Sequence, residues 1–111
     1  MWNSLRENLN TLNHLTKQYR EEGIAAAEAD REYRMKVAVA VLHGKELGYP
    51  ATLIKDAIYK DEALARARFE RDCAQANYEA TKEAINTLKL ETRIVNDQLN
   101  REWNQSGQRD Y

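Results

Sequence analysis

One place in this chain compels the backbone to turn. The stretch GYPATLIKDAIYKDE, residues 48–62, holds the sole proline and one of only four glycines. Gly48 suits the left-handed position just past a helix C-terminus. Pro50 lacks an N–H and suits the first position of a new helix. Everything on either side reads as helix. Leu, Ala, Glu, Lys, Arg, Gln and Asn dominate the 111 residues, a usage that fits long helices better than a sandwich or an α/β fold. The length predicts a single domain, 1–111.

The first helix is expected over about 5–47. Ser4 and Glu7 have capping-box spacing at its start. Apolar or small residues then recur every seventh position: Leu5, Leu12, Tyr19, Ala26, Tyr33, Ala40 and Leu47. Leu9, Leu15, Ala29, Val37 and Val41 widen the stripe, so one phase persists along the segment. Gly23 is its weak point, about 1 kcal/mol poorer than Ala in a helix interior. Continuity through Gly23 is the expectation, with a kink there as the alternative. KVAVAVL (36–42) alternates like a strand but stays in helical phase and has no second strand to pair with.

A short amphipathic helix is predicted over about 50–60, its apolar face made of Leu53, Ile54, Ala57 and Ile58. Asp61 can cap the last helix, expected over about 61–103 with a frayed tail at 104–111 after Ser106 and Gly107. That helix carries a heptad seam. Leu64, Tyr78, Ile85, Leu88, Val95, Leu99 and Trp103 mark it as an oligomer seam. A second stripe of Ala65, Phe69, Cys73, Ala76, Ala80 and Ala84 gives the helix two faces to bury. Glu62–Arg66 and Asp97–Arg101 have the spacing of helical ion pairs.

The two long segments are equal, about 64 Å each at roughly 1.5 Å per residue. With a compact corner they predict a long antiparallel, coiled-coil-like helical hairpin whose facing residues sum to about 108. That register sets Ala25, Ala26 and Ala29 near Ala80 and Ala84. A two-helix hairpin leaves a side of each helix uncovered. A second copy of the chain is the simplest cover, which gives a dimeric four-helix bundle.

Charge and motif counts narrow the function. Charged residues make up 32% of the chain, yet the net charge is −1, so the balance does not call for nucleic acid or an acidic substrate. Cys73 is the one cysteine, so no internal disulfide forms, and a reducing cytosol is the simple reading. Cys73 itself is expected in the core. No apolar run reaches a membrane span, and residues 1–15 lack the apolar core of a secretory signal. His14 and His43 stand apart, no metal-ligand spacing occurs, and no phosphate loop follows Gly44 or Gly48. No catalytic residue, metal or cofactor is therefore expected, and the chain reads as non-enzymatic.

Two surfaces remain. Arg68, Arg71, Lys82, Lys89 and Arg93 share one arc of the last helix and could track phosphates. Pairing with a partner helix is the favoured reading of that stripe. At the corner, Tyr49, Lys55 and Tyr59 are expected to be exposed and available to a partner. Trp2, Trp103 and Tyr111 cluster by position at the open end, as a cap or a contact.

From the corner onward the sequence also resembles small helical proteins encoded by phages and prophages of Gram-positive bacteria. Their pattern runs G-x-P-A-T-x-I-x-D, then R-D-x-A, Y-x-A, E-A-I and R-E-W. It is matched here by Gly48, Pro50, Ala51, Thr52, Ile54 and Asp56, then Arg71, Asp72 and Ala74, Tyr78 and Ala80, Glu83, Ala84 and Ile85, and Arg101, Glu102 and Trp103. Tyr33-Arg34 extends it weakly upstream. Lys60-Asp61 departs from the Lys-Gly break usual in those proteins. The resemblance covers about half the chain. It implies an accessory protein in the host-cell cytoplasm, often associated with early or DNA-metabolism genes. Self-association is the leading expectation. A nucleic-acid-binding accessory to replication or recombination, and an inhibitor of a host protein, are the alternatives.

Overall fold

The computed structural model describes residues 2–109, which form three helices and no strand: α1 (Trp2–Glu46), α2 (Ala51–Lys60) and α3 (Glu62–Arg109). The fold is all-α, as predicted. The chain forms two compact units. One comprises Glu21–Tyr78, and the other comprises α1 up to Arg20 together with α3 from Glu79.

The Glu21–Tyr78 unit is a helical hairpin with α2 at its corner. Its turn is a Schellman motif. Gly48 N–H donates to the Lys45 carbonyl (3.0 Å) and Tyr49 N–H to the Gly44 carbonyl (3.1 Å). Gly48 itself has φ of 80°, the left-handed C′ conformation that closes such a motif. Pro50 lies one position outside the expected place: it is the N-cap of α2, and its carbonyl accepts the first helical bond, from Ile54 N–H (3.1 Å). Asp61 joins α2 to α3. Its backbone N–H closes α2 on the Ala57 carbonyl (2.9 Å), while its Oδ1 accepts the Leu64 N–H (2.9 Å) and caps α3.

Gly48 allows a clean test. A side chain there would meet no atom within 4 Å, so only the backbone opposes one. Gly48→Val should lower stability by on the order of 1–2 kcal/mol, and Gly48→Asn by much less, because Asn tolerates the left-handed region. Denaturant midpoints at unchanged slope check the order.

Facing residues in this unit are displaced by roughly seven positions, about 10 Å along the axis, from the predicted register. The backbone of Gly23 lies against the Tyr78 ring, and Tyr33 bonds Arg68. The cause is α2. Ile54 packs on Gly44 near the end of α1, so α2 occupies the side of α1's last turns. Helix α3 therefore starts about one helix diameter back from the end of α1. Ala26 is buried, but at a level near Ala74 rather than Ala80 or Ala84. The shift also accounts for Gly23: α1 stays helical there, and the missing side chain admits the Tyr78 ring.

In the other unit the two helical segments also run antiparallel. Gln18 Nε2 donates to Thr81 Oγ1 (3.4 Å), while Trp2 lines one hollow with Leu99 and Trp103. Helix α1 begins at Trp2, so Ser4 and Glu7 lie inside it and are not its cap. Helix α3 continues to Arg109, past the stop expected at Ser106 and Gly107.

The heptad pattern holds, but its partner differs from expectation. Leu64, Ala67, Thr81 and Ile85 are buried, and Tyr78, Leu88, Val95 and Leu99 are half-buried, already within a single chain. The seam assigned to an oligomer is thus covered by α1 of the same chain. Trp103 takes no part in that intrachain packing, being 80% exposed. Cys73 is exposed rather than packed, because it lies on the side of α3 turned away from the seam. Leu53 is also exposed, so Ile54 and Ile58 alone of the α2 apolar residues turn inward. Leu9 and Leu47, at the edges of the α1 stripe, are exposed too. Ion pairs form between Arg34 and Asp30 (2.8 Å) and between Arg71 and Asp72 (3.0 Å), rather than at the two positions predicted on α3.

Candidate functional site

All three helices meet at one cluster in the Glu21–Tyr78 unit. Tyr33 projects from α1, Tyr59 from α2, and Arg68 and Arg71 from α3. Arg68 Nε donates to the Tyr33 hydroxyl at 3.2 Å. Its guanidinium carbon lies 5.0 Å from the Tyr59 ring centre and 5.8 Å from that of Tyr33. Arg71 stacks more closely on Tyr33, at 4.5 Å, and its Nη2 pairs with Asp72 at 3.0 Å. Each guanidinium thus meets an aromatic face. The bond to Tyr33 raises the Arg68 pKa above its ordinary value, opposed by slight desolvation, so Arg68 remains a cation. The cluster fastens α2 to the hairpin and keeps two positive groups at the surface.

Two apolar hollows flank Ile54. One, of about 190 Å³, is walled by His43, Leu47, Tyr49, Ala57 and Leu64. The other, of about 280 Å³, lies between α1 and α2 over Val37, Val41, Ile54 and Ile58, with Lys45 and Lys55 beside it. The corner residues Tyr49, Lys55 and Tyr59 are exposed as expected, although Tyr59 is engaged by Arg68.

The members of the basic stripe have different surroundings. Arg68 and Arg71 belong to the cluster in one unit; Lys82, Lys89 and Arg93 belong to the other unit and are exposed. Two of its five members are therefore committed to tyrosines. The tyrosine partners were missed because the assumed register set Tyr33 about two turns away from Arg68. A Tyr on the α1 stripe and Arg71 on the α3 stripe were the available signal.

In the other unit, Trp2 and Trp103 line an open hollow of about 530 Å³ and are largely exposed, so they do not form a closed cap. Tyr111 lies outside the described residues. Among the described residues, no three His, Cys, Asp or Glu side chains converge to hold a metal ion. None of the described helices is long and apolar enough to cross a membrane. Compared with family models, curated proteins and solved structures, the chain matches none.

Proposed function

We propose that the chain is a non-enzymatic helical interaction protein that works as a homo-oligomer. The carrying observation is the apolar surface left uncovered on both long helices.

Its chemistry fits a helical partner. On α1, Met35, Val39 and Leu42 are exposed at helical spacing, on the side opposite the inward stripe. On α3, Phe69 and Cys73 are exposed in the same relation to the seam, as are Leu90 and Ile94 in the other unit. These are the outer faces that a second copy would cover, and a dimeric four-helix bundle is the arrangement we favour. Resemblance to phage and prophage proteins of Gram-positive bacteria supports an accessory role in the host-cell cytoplasm.

Light scattering at micromolar concentration is expected to give a dimer or larger mass. Val39→Lys with Phe69→Lys should lower that mass without lowering helicity, because both side chains lie outside the intrachain seam. A monomer mass for the native chain, with a cooperative thermal transition, would refute self-association.

A further inference from the structure

We propose that the groove between α1 and α2 docks an acidic segment of a partner protein, anchored by an apolar side chain. The hollow has an aliphatic floor of Val37, Val41, Ile54 and Ile58. Its only ionisable lining groups are Lys45 and Lys55, one from each helix. Its volume of about 280 Å³ falls just under the usual small-molecule range and suits one or two side chains.

Positive charge continues along the groove. Tyr33, Val37, Val41 and Lys45 follow one another at four-residue spacing, so they form a single ridge of α1. Lys45 ends that ridge, and Arg68 bonds Tyr33 at the other end. On α2, Ile58 is followed by Tyr59, whose ring also faces Arg68. At the Tyr33 end, Asp30 is paired with Arg34 and Asp72 with Arg71, and neither Glu46 nor Asp56 lines the hollow beside Lys45 and Lys55. Asp56 is the one acid on α2, about 100° around the helix from Lys55. The site therefore offers bases at both ends of an apolar floor.

That combination selects the occupant. A phosphodiester backbone would satisfy the bases and leave the aliphatic floor with nothing to cover it. An amphipathic helix with carboxylates one turn either side of a leucine satisfies both. Arg68, held by Tyr33 and stacked on Tyr59, is pre-ordered to take one carboxylate in a forked contact.

The test uses the full-length chain and a fluorescein-labelled helical peptide of Glu, Leu and Ala, with leucines at i and i+4 flanked by glutamates. Anisotropy should show saturable binding at low salt. Replacing the peptide's Glu by Gln, or making Lys45→Glu with Lys55→Glu in the protein, should each weaken binding by roughly tenfold or more. A Lys/Leu peptide should bind the doubly reversed variant better than the native chain. Backbone amide shifts should centre on residues 37–45 and 51–58. The proposal is overturned by any of three results: no saturable binding up to millimolar peptide, equal affinity for the Gln peptide, or unchanged affinity in the variant. It also fails if a single-stranded oligonucleotide binds more tightly and depends on the same two lysines. Because the groove is distinct from the outer faces, light scattering on the same samples separates the two proposals. Loss of the oligomer with peptide binding intact counts only against self-association.

Discussion

Ile85→Asp should be among the most damaging single changes to the chain, lowering stability by about 3 kcal/mol or more. Ile85 is 8% exposed and lies one helical turn beyond Thr81, whose hydroxyl accepts from Gln18 on α1. The substitution removes buried aliphatic contacts and puts a carboxylate among the apolar side chains of the seam. The seam already contains the buried Thr92 hydroxyl, which has no hydrogen-bond partner, so it has little polar capacity to accept a charge. Loss on this scale corresponds to a fall in Tm on the order of 10 °C or more. Two nearby positions set the scale. Leu88→Asp, at a half-buried seam position, should be milder. Leu90→Asp, at a residue 56% exposed, should leave melting nearly unchanged. If self-association covers the outer faces, Leu90→Asp will lower the mass instead. Circular dichroism melts and light scattering on the three variants decide it. Equal melting for Ile85→Asp and Leu90→Asp would mean the seam does not pack on α1.

That series depends on a distinction the sequence could not make. Heptad spacing showed that Leu64, Ala67, Ile85 and Leu88 share a face, because helical period is a local property. It could not say which helix covers them. Phe69 and Cys73 form an equally regular stripe, and in the structure they face outward. Local chemistry at the corner was more legible. Gly48 is left-handed because no other residue in the turn can be so at little strain, and Asp61 caps α3 because its side chain is short enough to reach the Leu64 N–H. The register escaped because it depends on the thickness of α2, which enters only when Ile54 seats on Gly44. Once the register moved, its dependants moved together: the partner of Gly23 became Tyr78, and Arg68 gained Tyr33. Arg71 of the basic stripe came to lie on Tyr33 for the same reason.

Gly44 and Gly23 then make opposite predictions for the same chemical change. Ala in place of Gly improves an α-helix interior by about 1 kcal/mol, so both substitutions in α1 begin with that gain. At Gly23 the added methyl would lie 3.0 Å from Cε2 at the edge of the half-buried Tyr78 ring. A small rotation of that ring relieves the contact, and Gly23→Ala should be neutral or slightly stabilising. At Gly44 the methyl would lie 2.7 Å from Ile54 Cγ1 and 3.0 Å from its Cδ1. Ile54 is buried, and Cγ1 sits next to its branch point, so the side chain cannot swing clear. Helix α2 itself must shift. Overpacking of this kind typically costs about 1–3 kcal/mol, which exceeds the helical gain. Gly44→Ala should therefore destabilise the Glu21–Tyr78 unit, and Gly44→Val should do so more strongly. The cause is separable from a general intolerance of side chains at Gly44 by a double-mutant cycle. Ile54→Ala alone removes the seated side chain and should cost about 2–5 kcal/mol. With Ile54→Ala in place, Gly44→Ala meets no clash and should recover its helical gain of about 1 kcal/mol. The two changes should thus couple favourably by more than about 1 kcal/mol in denaturant unfolding. Additive effects, or a stabilising Gly44→Ala in the native background, would show that Ile54 does not seat on Gly44 and that something other than α2 sets where α3 begins.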